Sequence, residues 1–314
     1  MDVRHLELLR ELADRGTVTA VAEATFRSPS AVSQQLRNAE RAFGAALVEP
    51  DGRGLRLTAA GRLLADGAVG VATELGRLQR ELDDLRGRPS GVVRIAGLPS
   101  AVEFLLPGLV SRLAGTDVGI ELTDEDVAEA DFASRAADHD LVVGHSLAEV
   151  PAGSDRLLTR TLAHEPLDVA LPASHRLAGR QALAAADLAG ERWIGVPPGF
   201  PFDTVRIAIE NRGGAALEVV QRIRDNRVVE ALVAAGVACA LLPRFTTRPR
   251  AGVVLVPLSD VRAVRSIVAL GRPDRLERAA VRVALAALVE SGRDAESSGA
   301  SAGPGTAPVS PAAS

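Results

Sequence analysis

Two short helices joined by a tight turn are predicted by the stretch Val18-Thr-Ala-Val-Ala-Glu-Ala-Thr-Phe-Arg-Ser-Pro-Ser-Ala-Val-Ser-Gln-Gln-Leu-Arg-Asn-Ala-Glu-Arg-Ala-Phe-Gly44. In the second helix Ser28 is suited to the N-cap and Pro29 to the first position, where its missing N–H costs nothing. Gly44 stands where a C-terminal cap ends the helix. Between them, apolar residues recur at helical spacing and form one stripe to be buried, made of Val32, Leu36, Ala39 and Phe43.

The opposite face of this second helix is polar and carries Ser30, Ser33, Gln34 and Arg37. These side chains can hydrogen-bond to base edges and phosphates. A helix that is apolar behind and hydrogen-bonding in front is what reading of a DNA major groove requires. A plainer alternative is that Pro29 and Ser30 only start the helix and that Arg37 only solvates it.

A β-hairpin is predicted after Gly44. Leu47–Val48 and Leu55–Leu57 have the character of two short strands around a turn rich in Pro, Asp and Gly. Arg53 and Arg56 would project from this wing toward a phosphate backbone, and no acidic residue lies between Gly52 and Ala65. The alternative is a solvated hairpin whose arginines are incidental.

The composition bounds the function. With 314 residues, 47% of them hydrophobic, the chain can bury a sizeable core and is expected to form two or more folded units. The formal net charge of −4 gives no globally basic coat, so DNA binding has to depend on local charge. All 36 basic residues are arginine, and without lysine a pyridoxal Schiff base and a phosphate-binding loop are excluded.

Further sequence features favour a cytoplasmic location. No run of about 18 consecutive apolar residues is present, so no membrane span is predicted. The N-terminus leads directly into a charged amphipathic helix and does not resemble a signal peptide. The single cysteine, Cys239, lies in an apolar run and has no partner for a disulfide within the chain.

A long helix is predicted from Thr58 until Gly87, Pro89 and Gly91 end it. It carries an unbroken heptad row, which consists of Leu64, Ala68, Val71, Leu75, Leu78, Leu82 and Leu85. Left unpaired, such a row would expose leucines to water, so it predicts a dimer. The alternative is that the helix packs against the C-terminal domain of its own chain.

Beyond Gly91 strands and helices alternate in two weakly similar halves. This pattern predicts an α/β fold of two subdomains, each around a largely parallel sheet, with a ligand cleft between them. Residues 126–137 are expected to form one of the helices, and residues 274–290 a closing helix. Residues 292–314 are dominated by Ser, Gly, Ala and Pro and are expected to be a disordered tail.

Several short motifs, in the right order and at the right separations, resemble the LysR-type transcriptional regulators. They are Ala31–Leu36, Arg56–Gly61, Leu167–Pro172 followed by His175–Ala178, and Leu232–Gly236 followed by Leu241–Pro243. The resemblance covers residues 2 to about 290. It implies three parts: a winged helix-turn-helix domain (1–58), a dimerising linker helix (59–88) and an effector domain like a type 2 periplasmic binding protein (91–290). Subdomain I would comprise about 91–163 and 272–290, and subdomain II about 164–271.

The resemblance also implies a function. Such a protein is a sequence-specific transcriptional regulator that binds double-stranded promoter DNA as a homodimer, often assembled into a homotetramer. A small-molecule effector in the cleft would shift the arrangement of the DNA-binding units through its different affinities for two states. RNA polymerase is a further partner to consider, whereas no cofactor, metal or membrane partner is implied.

Candidate site residues follow from matching positions. Pro29, Ser30, Ser33, Gln34 and Arg37 match helix positions that face DNA in the family, and Arg53 and Arg56 match backbone contacts of the wing. For the effector, the matching positions are Pro99 and Ser100 on one wall, Pro198 and Phe202 on the other, and His145 and Asn226 at element ends. Ser100 and the N–H groups that open the next helix could hold a carboxylate. His145 has a competing interpretation as a structural histidine.

The chain also departs from the family pattern. Val48 and Pro50 stand where the wing usually has an aromatic and a basic residue. Phe26 and Arg27 occupy a turn in which smaller or apolar residues are commoner. The acidic run Asp124–Asp126 is expected to be a solvated loop that would disfavour anionic effectors if it faced the cleft.

Two other classes of function are alternatives to a regulator. An enzyme is disfavoured because the five histidines lack metal-ligand spacing and neither Gly-x-Ser-x-Gly nor a Gly-x-Gly-x-x-Gly after a strand is present. A solute-binding module, or a cytoplasmic small-molecule-binding module without DNA specificity, would fit residues 91–290 alone. The missing signal peptide and the attached helix-turn-helix argue against the solute-binding module, and the cytoplasmic module without DNA specificity is the main alternative to a regulator.

Overall fold

The computed structural model describes residues 2–52, 54–125, 131–148, 151, 154, 156–247 and 252–301. The N-terminal part is a winged helix-turn-helix domain followed by one long helix. Its elements are α1 (Val3–Arg15), α2 (Val18–Ala24), α3 (Pro29–Phe43), β1 (Val48–Asp51), β2 (Gly54–Leu57) and α4 (Ala59–Arg86).

An α/β domain follows. Its first half contains β3 (Ser90–Gly97), α5 (Pro99–Leu113), β4 (Asp117–Asp124), α6 (Phe132–Arg135), β5 (Leu141–Ser146) and the long β6 (Leu158–Pro172). The rest contains a 3-10 helix (Ala185–Leu188), β7 (Arg192–Gly195), α7 (Pro201–Gly213), β8 (Glu218–Arg222), α8 (Asn226–Ala234), β9 (Cys239–Pro243), β10 (Val253–Val256), β11 (Val264–Gly271), α9 (Pro273–Leu276) and α10 (Ala279–Ser301). No described helix is both long and apolar enough to cross a bilayer.

The recognition helix α3 forms as its local sequence predicts. The Ser28 side chain accepts a hydrogen bond from the Ala31 N–H at 3.2 Å, and Pro29 occupies the first turn. Gly44 ends the helix in the left-handed conformation with φ 66°, which a glycine adopts without strain. Val32, Leu36 and Ala39 are buried in a core shared with α1, α2 and the wing.

The α/β domain has one mixed sheet with the strand order β4-β3-β5-β11-β6-β9-β7-β8, and β10 pairs with β6. Each end contains three parallel strands, as the expected parallel sheets required. The middle differs, because β11 and β6 run antiparallel to their neighbours and join the two halves. The expectation of two largely parallel sheets is therefore corrected to a mixed sheet crossed by these two strands.

Strand β6 belongs to both halves. Residues up to Pro166 pair with β11, and from Leu167 onward the strand pairs with β9 and β10. Its partner β11 also pairs with β5, and Ile267 and Ala269 lie in the core of the first half. Residues 264–271, which the sequence analysis assigned to subdomain II (about 164–271), thus pair with β5 and pack in the core of the first half.

The C-terminal helix is longer than expected. Residues 292–301 continue α10, where the composition had indicated disorder. Polar side chains hold this extension: Asp294 pairs with Arg112 of α5, and Glu296 accepts the backbone N–H of His164 in β6. Residues 302–314 lie outside the described residues. Of the helix expected at 126–137, the structure describes Phe132–Arg135, and residues 126–130 also lie outside.

Ion pairs join the DNA-binding domain to the effector domain. Arg272, 4% exposed at the end of β11, donates to Glu11 at 2.9 Å and to Asp14 at 2.5 Å, both on α1. Arg10 of α1 pairs with Asp274 at 3.0 Å. Burial opposes ionisation of Glu11, but the adjacent guanidinium groups outweigh it and lower the pKa of this carboxyl. The two domains of one chain therefore share a polar interface at the end of β11.

Candidate DNA-binding surface and effector cleft

The exposed face of α3 carries the predicted DNA-contact residues. Pro29, Ser30, Gln34 and Arg37 are exposed and Ser33 is half-buried, so all five lie away from the core. Gln34 Oε1 accepts from Arg37 at 2.6 Å, and Gln34 Nε2 donates to Asn38 Oδ1 at 3.1 Å. The donors and acceptors on this face thus bind one another until another partner, such as a base edge, replaces them.

Asn38 and Arg41 extend the same polar row, although neither was among the residues predicted from the sequence. Arg41 donates to Asn38 and so continues the chain of hydrogen bonds from Gln34 toward the end of the helix. Their position one helical turn after Gln34 and Arg37 is a signal that could have identified them. We add them to the candidate surface.

The wing forms an antiparallel hairpin in which Glu49 lies opposite Arg56. The two side chains pair at 3.0 Å, so the positive charge of Arg56 is partly compensated within the wing. Glu49 precedes the acid-free stretch between Gly52 and Ala65, so this partner across the hairpin was not predicted from the sequence. Arg53, the other predicted wing contact, lies outside the described residues.

A cleft of about 1740 Å³ lies between the two halves of the α/β domain. Five of the predicted effector residues line it together, namely Pro99, Ser100, His145, Phe202 and Asn226. Pro198 does not line it, because this proline is exposed in the turn before α7 while Val196 and Phe200 on either side face the cleft.

A buried ion pair forms the floor of the cleft. Arg265 of β11 is 1% exposed and donates to Glu165 of β6 through Nε at 2.8 Å and Nη2 at 2.6 Å. The other oxygen of Glu165, which is fully buried, accepts the Phe245 N–H at 2.7 Å. Arg265 Nη1 then reaches Ser100 Oγ at 3.0 Å. The guanidinium is thus fixed at the base of both walls.

Arg265 also determines the tautomer of His145. Its Nη1 lies 3.3 Å from His145 Nδ1, and because a guanidinium can only donate, Nδ1 is the acceptor. Burial, together with the nearby positive charge of Arg265, lowers the pKa of His145 well below its usual value of 6.5. The ring is therefore neutral and carries its proton on Nε2, which has no hydrogen-bond partner among the described residues.

Two further donors face the same space. The Thr246 hydroxyl is buried at the cleft without a partner in the described part of the chain. Ser100 Oγ accepts from Arg265, so its own proton is available to a ligand. Helix α5 begins beside them without a side-chain cap. The floor is therefore rich in donors, which suits a ligand with acceptor atoms such as a carboxylate.

The rim of the cleft carries both signs of charge. Arg227 of α8 approaches Glu103 of α5 at 3.6 Å across the mouth, and the guanidinium of Arg224 lies 5.8 Å from the centre of the Phe200 ring. Asp124 also lines the cleft, whereas Asp126 of the predicted acidic run lies outside the described residues. A bound anion would therefore face hydrogen-bond donors at the floor of the cleft and both positive and negative side chains at its entrance.

We expect His145 to make stability depend on pH. Its folded pKa lies below the unfolded value near 6.5, so the unfolded chain binds more protons as the pH falls below that value. This group alone then lowers the free energy of unfolding by up to about 1.4 kcal/mol per pH unit. Urea unfolding of wild type and His145→Gln between neutral and mildly acidic pH measures the difference, and parallel curves would contradict the assignment.

Cys239 lies in a second polar cluster outside the cleft. His175 Nε2 is 3.2 Å from Glu191 Oε2 and 3.9 Å from Cys239 Sγ, an arrangement of possible metal ligands. The Leu177 N–H donates to His175 Nδ1 at 3.3 Å, so a neutral ring has its proton on Nε2 and gives it to Glu191. The hydrogen bonds of His175 are therefore satisfied without an ion.

A winged helix-turn-helix joined by a long helix to a two-halved domain with a polar cleft defines a ligand-responsive DNA-binding regulator. Comparison with known proteins supports this class. Residues 3–62 match the bacterial regulatory helix-turn-helix protein of the lysR family, and residues 86–293 match the LysR substrate binding domain. The chain belongs to the LysR family of transcriptional regulators.

Similar proteins include the DNA-binding transcriptional dual regulator OxyR of Escherichia coli K12, which is 28% identical over 87% of this chain and 90% of its own length. The transcriptional dual regulator GltC of Bacillus subtilis is 26% identical over 85% and 89%. Among solved structures, the Corynebacterium glutamicum OxyR C206 mutant has a TM-score of 0.57 at 22% identity and covers 96% of each chain. CbnR, a LysR family regulator, has a TM-score of 0.53 at 20% identity, covering 92% and 100%.

Proposed function

We propose that this regulator binds promoter DNA through α3 and the wing and responds to a small carboxylate-bearing effector in the cleft. The observation that carries the effector class is the set of unpaired donors at the cleft floor, which are His145 Nε2 and the Thr246 hydroxyl. Residues Pro29, Ser30, Ser33, Gln34 and Arg37 are proposed to contact DNA, with Arg53 and Arg56 reaching phosphates. Asn226 and Phe202, which line the cleft, are proposed to contact the effector.

The DNA part is tested on the promoter region adjoining the protein's own gene. A mobility-shift titration should show preference for this region over random DNA, with an affinity that falls as salt rises. Gln34→Ala should change sequence preference, whereas Arg53→Ala should weaken all sites evenly. Equal losses at every site in both variants would contradict the assignment of base reading to Gln34.

The effector part is tested by calorimetry with a panel of small mono- and dicarboxylic acids and the amides of the same skeletons. Acids that bind should raise the unfolding temperature and change the DNA affinity. Thr246→Val, which removes one donor and keeps the shape of the side chain, should weaken binding of these acids. Equal binding of acids and amides would refute the proposed carboxylate class.

We further propose a homodimer paired through α4, on which a homotetramer could be built. The support is an apolar row open to solvent in the single chain: Leu75, Leu78 and Leu82 are 49%, 50% and 43% exposed and Leu85 is 85% exposed. At the start of the row, Ala68 is 3% exposed and Leu64 packs against the core of the DNA-binding domain, so the open part of the row begins later in α4. The effector domain covers a different face of α4, for example at Gly76 against Asp274.

Placing arginine at both Leu78 and Leu82 should produce a monomer in sedimentation experiments. Loss of the paired half-sites would then weaken promoter binding by about 100-fold. Leu63→Arg is the matched control, since Leu63 is 72% exposed on the same helix but lies outside the row. A dimer that survives both substitutions would show that α4 is not the pairing surface.

Peroxide sensing at Cys239 is not part of this proposal, although relatives named hydrogen peroxide-inducible genes activator are similar over 87% of the chain. Burial, reinforced by Glu191, raises the pKa of Cys239 to about 12, so almost no thiolate exists at neutral pH. Hydrogen peroxide should leave the native protein's intact mass and promoter binding unchanged, as should Cys239→Ala. Oxidation that alters DNA binding would contradict this.

We infer that the role is regulatory and not catalytic, and that it is exercised in the cytoplasm, where bacterial promoter DNA lies. The relatives are transcriptional regulators by name. Contact with RNA polymerase would link promoter binding to transcription, and reconstituted transcription with purified polymerase would test it.

A further inference from the structure

The turn between α2 and α3 holds a phenylalanine in a conformation that glycine favours. Phe26 N–H donates to the Glu23 carbonyl at 3.2 Å, and Arg27 N–H donates to the Ala22 carbonyl at 2.8 Å. These two hydrogen bonds close the C-terminal end of α2 and place Phe26 in the left-handed region. Phe26 has φ 54° and is the one non-glycine residue with positive φ that the structure describes.

Packing does not compensate for this backbone conformation. The Phe26 residue is 99% exposed, so its ring buries no surface within the chain. A bulky side chain is disfavoured in the left-handed region, and an isolated exposed ring gains nothing from the hydrophobic effect. The backbone strain and the lack of any gain from burial both favour a glycine or an asparagine at this position. The turn needs this backbone conformation but not a phenylalanine, so the presence of the ring points to a role outside the folded chain.

The position of Phe26 identifies the partner. It precedes the N-cap of the recognition helix by two residues, and Ser28, Pro29 and Ser30 after it are exposed. The N-terminal residues of such a helix are the ones that reach base edges in the major groove. Arg27 does not compete for this place, because its guanidinium is turned back to Gln35 Oε1 at 2.6 Å.

We propose that Phe26 is a DNA-contact residue that recognises thymine through apolar contact with the C5-methyl group at the rim of the major groove. A phenyl ring has no hydrogen-bonding group, so the methyl group is the base feature it can distinguish there. Burial of the ring against the methyl group in the complex would then offset the backbone strain of Phe26 in the free protein. This inference rests on the proposed DNA-binding function of α3.

The test begins with selection from a random-sequence duplex library by wild type, Phe26→Gly and Phe26→Tyr. All three should select the same half-site, but the glycine variant should lose a thymine preference at one position, while the ring-retaining tyrosine variant keeps it. Thermal unfolding of Phe26→Gly should be no lower than that of wild type, because the strain is relieved. Identical motifs and affinities for wild type and Phe26→Gly would overturn the proposal.

The second step replaces that thymine by uracil in the selected site, which removes only the methyl group. Wild-type affinity should fall roughly 4-fold per half-site, the value of one buried methyl group. Phe26→Gly should bind both duplexes equally. A loss of equal size in both proteins would show that the methyl group is read by another residue. If neither wild type nor Phe26→Gly selects any motif, the result contradicts the proposed DNA-binding function itself and not only the role of Phe26.

Discussion

Glu165→Gln is expected to lower the free energy of unfolding by about 3–5 kcal/mol, because it leaves a buried guanidinium without its counter-charge. Glu165 is fully buried and Arg265 is 1% exposed, so water cannot take over the lost interaction. Both carboxylate oxygens are in use, since one accepts from Arg265 at 2.6 Å and the other from the Phe245 N–H at 2.7 Å. A glutamine would present an NH₂ group to one of these donors.

Urea unfolding followed by circular dichroism measures this change. Glu121→Gln is the matched control, because the Glu121–Arg94 pair is solvated, at 63% and 61% side-chain exposure, and its loss should change stability by less than about 1 kcal/mol. Combining Glu165→Leu with Arg265→Met removes both charges and should recover much of the loss. A Glu165→Gln variant as stable as wild type would contradict the charge argument.

Arg272→Ala is expected to loosen the DNA-binding domain from the effector domain. It leaves Asp14 without its guanidinium partner and Glu11 with Arg15 alone in a mostly buried interface, and the penalty should be about 2–3 kcal/mol, since both carboxylates keep some solvent contact. Unfolding should separate into two transitions, one for each domain, in a calorimetric scan.

The pH dependence gives this second prediction a sign. In wild type the pKa of Glu11 is lowered, so its contribution to stability is present above the unfolded value of 4.5 and is lost as the pH falls below it. Burial raises the pKa of Asp14, the other partner, but Arg272 opposes this, so removal of Arg272 should raise the pKa of both carboxyls. The difference between wild type and Arg272→Ala should therefore be largest at neutral pH and shrink in acid. Arg4→Ala removes a solvated pair on the same helix and is the control. A single unchanged transition in Arg272→Ala would refute the domain coupling.

Local chemistry explains which parts were predictable from the sequence. The recognition helix carries its own start and stop signals in Ser28, Pro29 and Gly44, and its polar face follows from helical spacing alone. The heptad row of the linker helix likewise follows directly from the spacing of its apolar residues. The cleft walls could be placed through family motifs, which identified Ser100 and Phe202 but assigned the exposed Pro198 to the wall as well.

Long-range pairing explains most of what was missed. Arg265 and Glu165 are 100 residues apart, and no periodicity links them before the strands are aligned. The first half of β6 was missed because its residues, such as Thr159, Arg160 and Thr161, are polar, although alternating threonines are compatible with a strand. Residues 292–301 have little apolar bulk, and their helix depends on tertiary partners on α5 and β6 that composition cannot reveal.

The course of β6 has a mechanical consequence. The strand changes partners between Pro166 and Leu167 without a break in the backbone, and Pro166 has no N–H to lose from the ladder at that point. Glu165, one residue earlier, holds Arg265 on one side and the segment after β9 on the other. Opening of the cleft must then change the twist of the continuous strand β6 close to the Glu165 carboxylate. We therefore expect the two halves of the α/β domain to rotate relative to each other only through a small angle, limited by the twist of β6. They should not swing freely as they would about a flexible hinge.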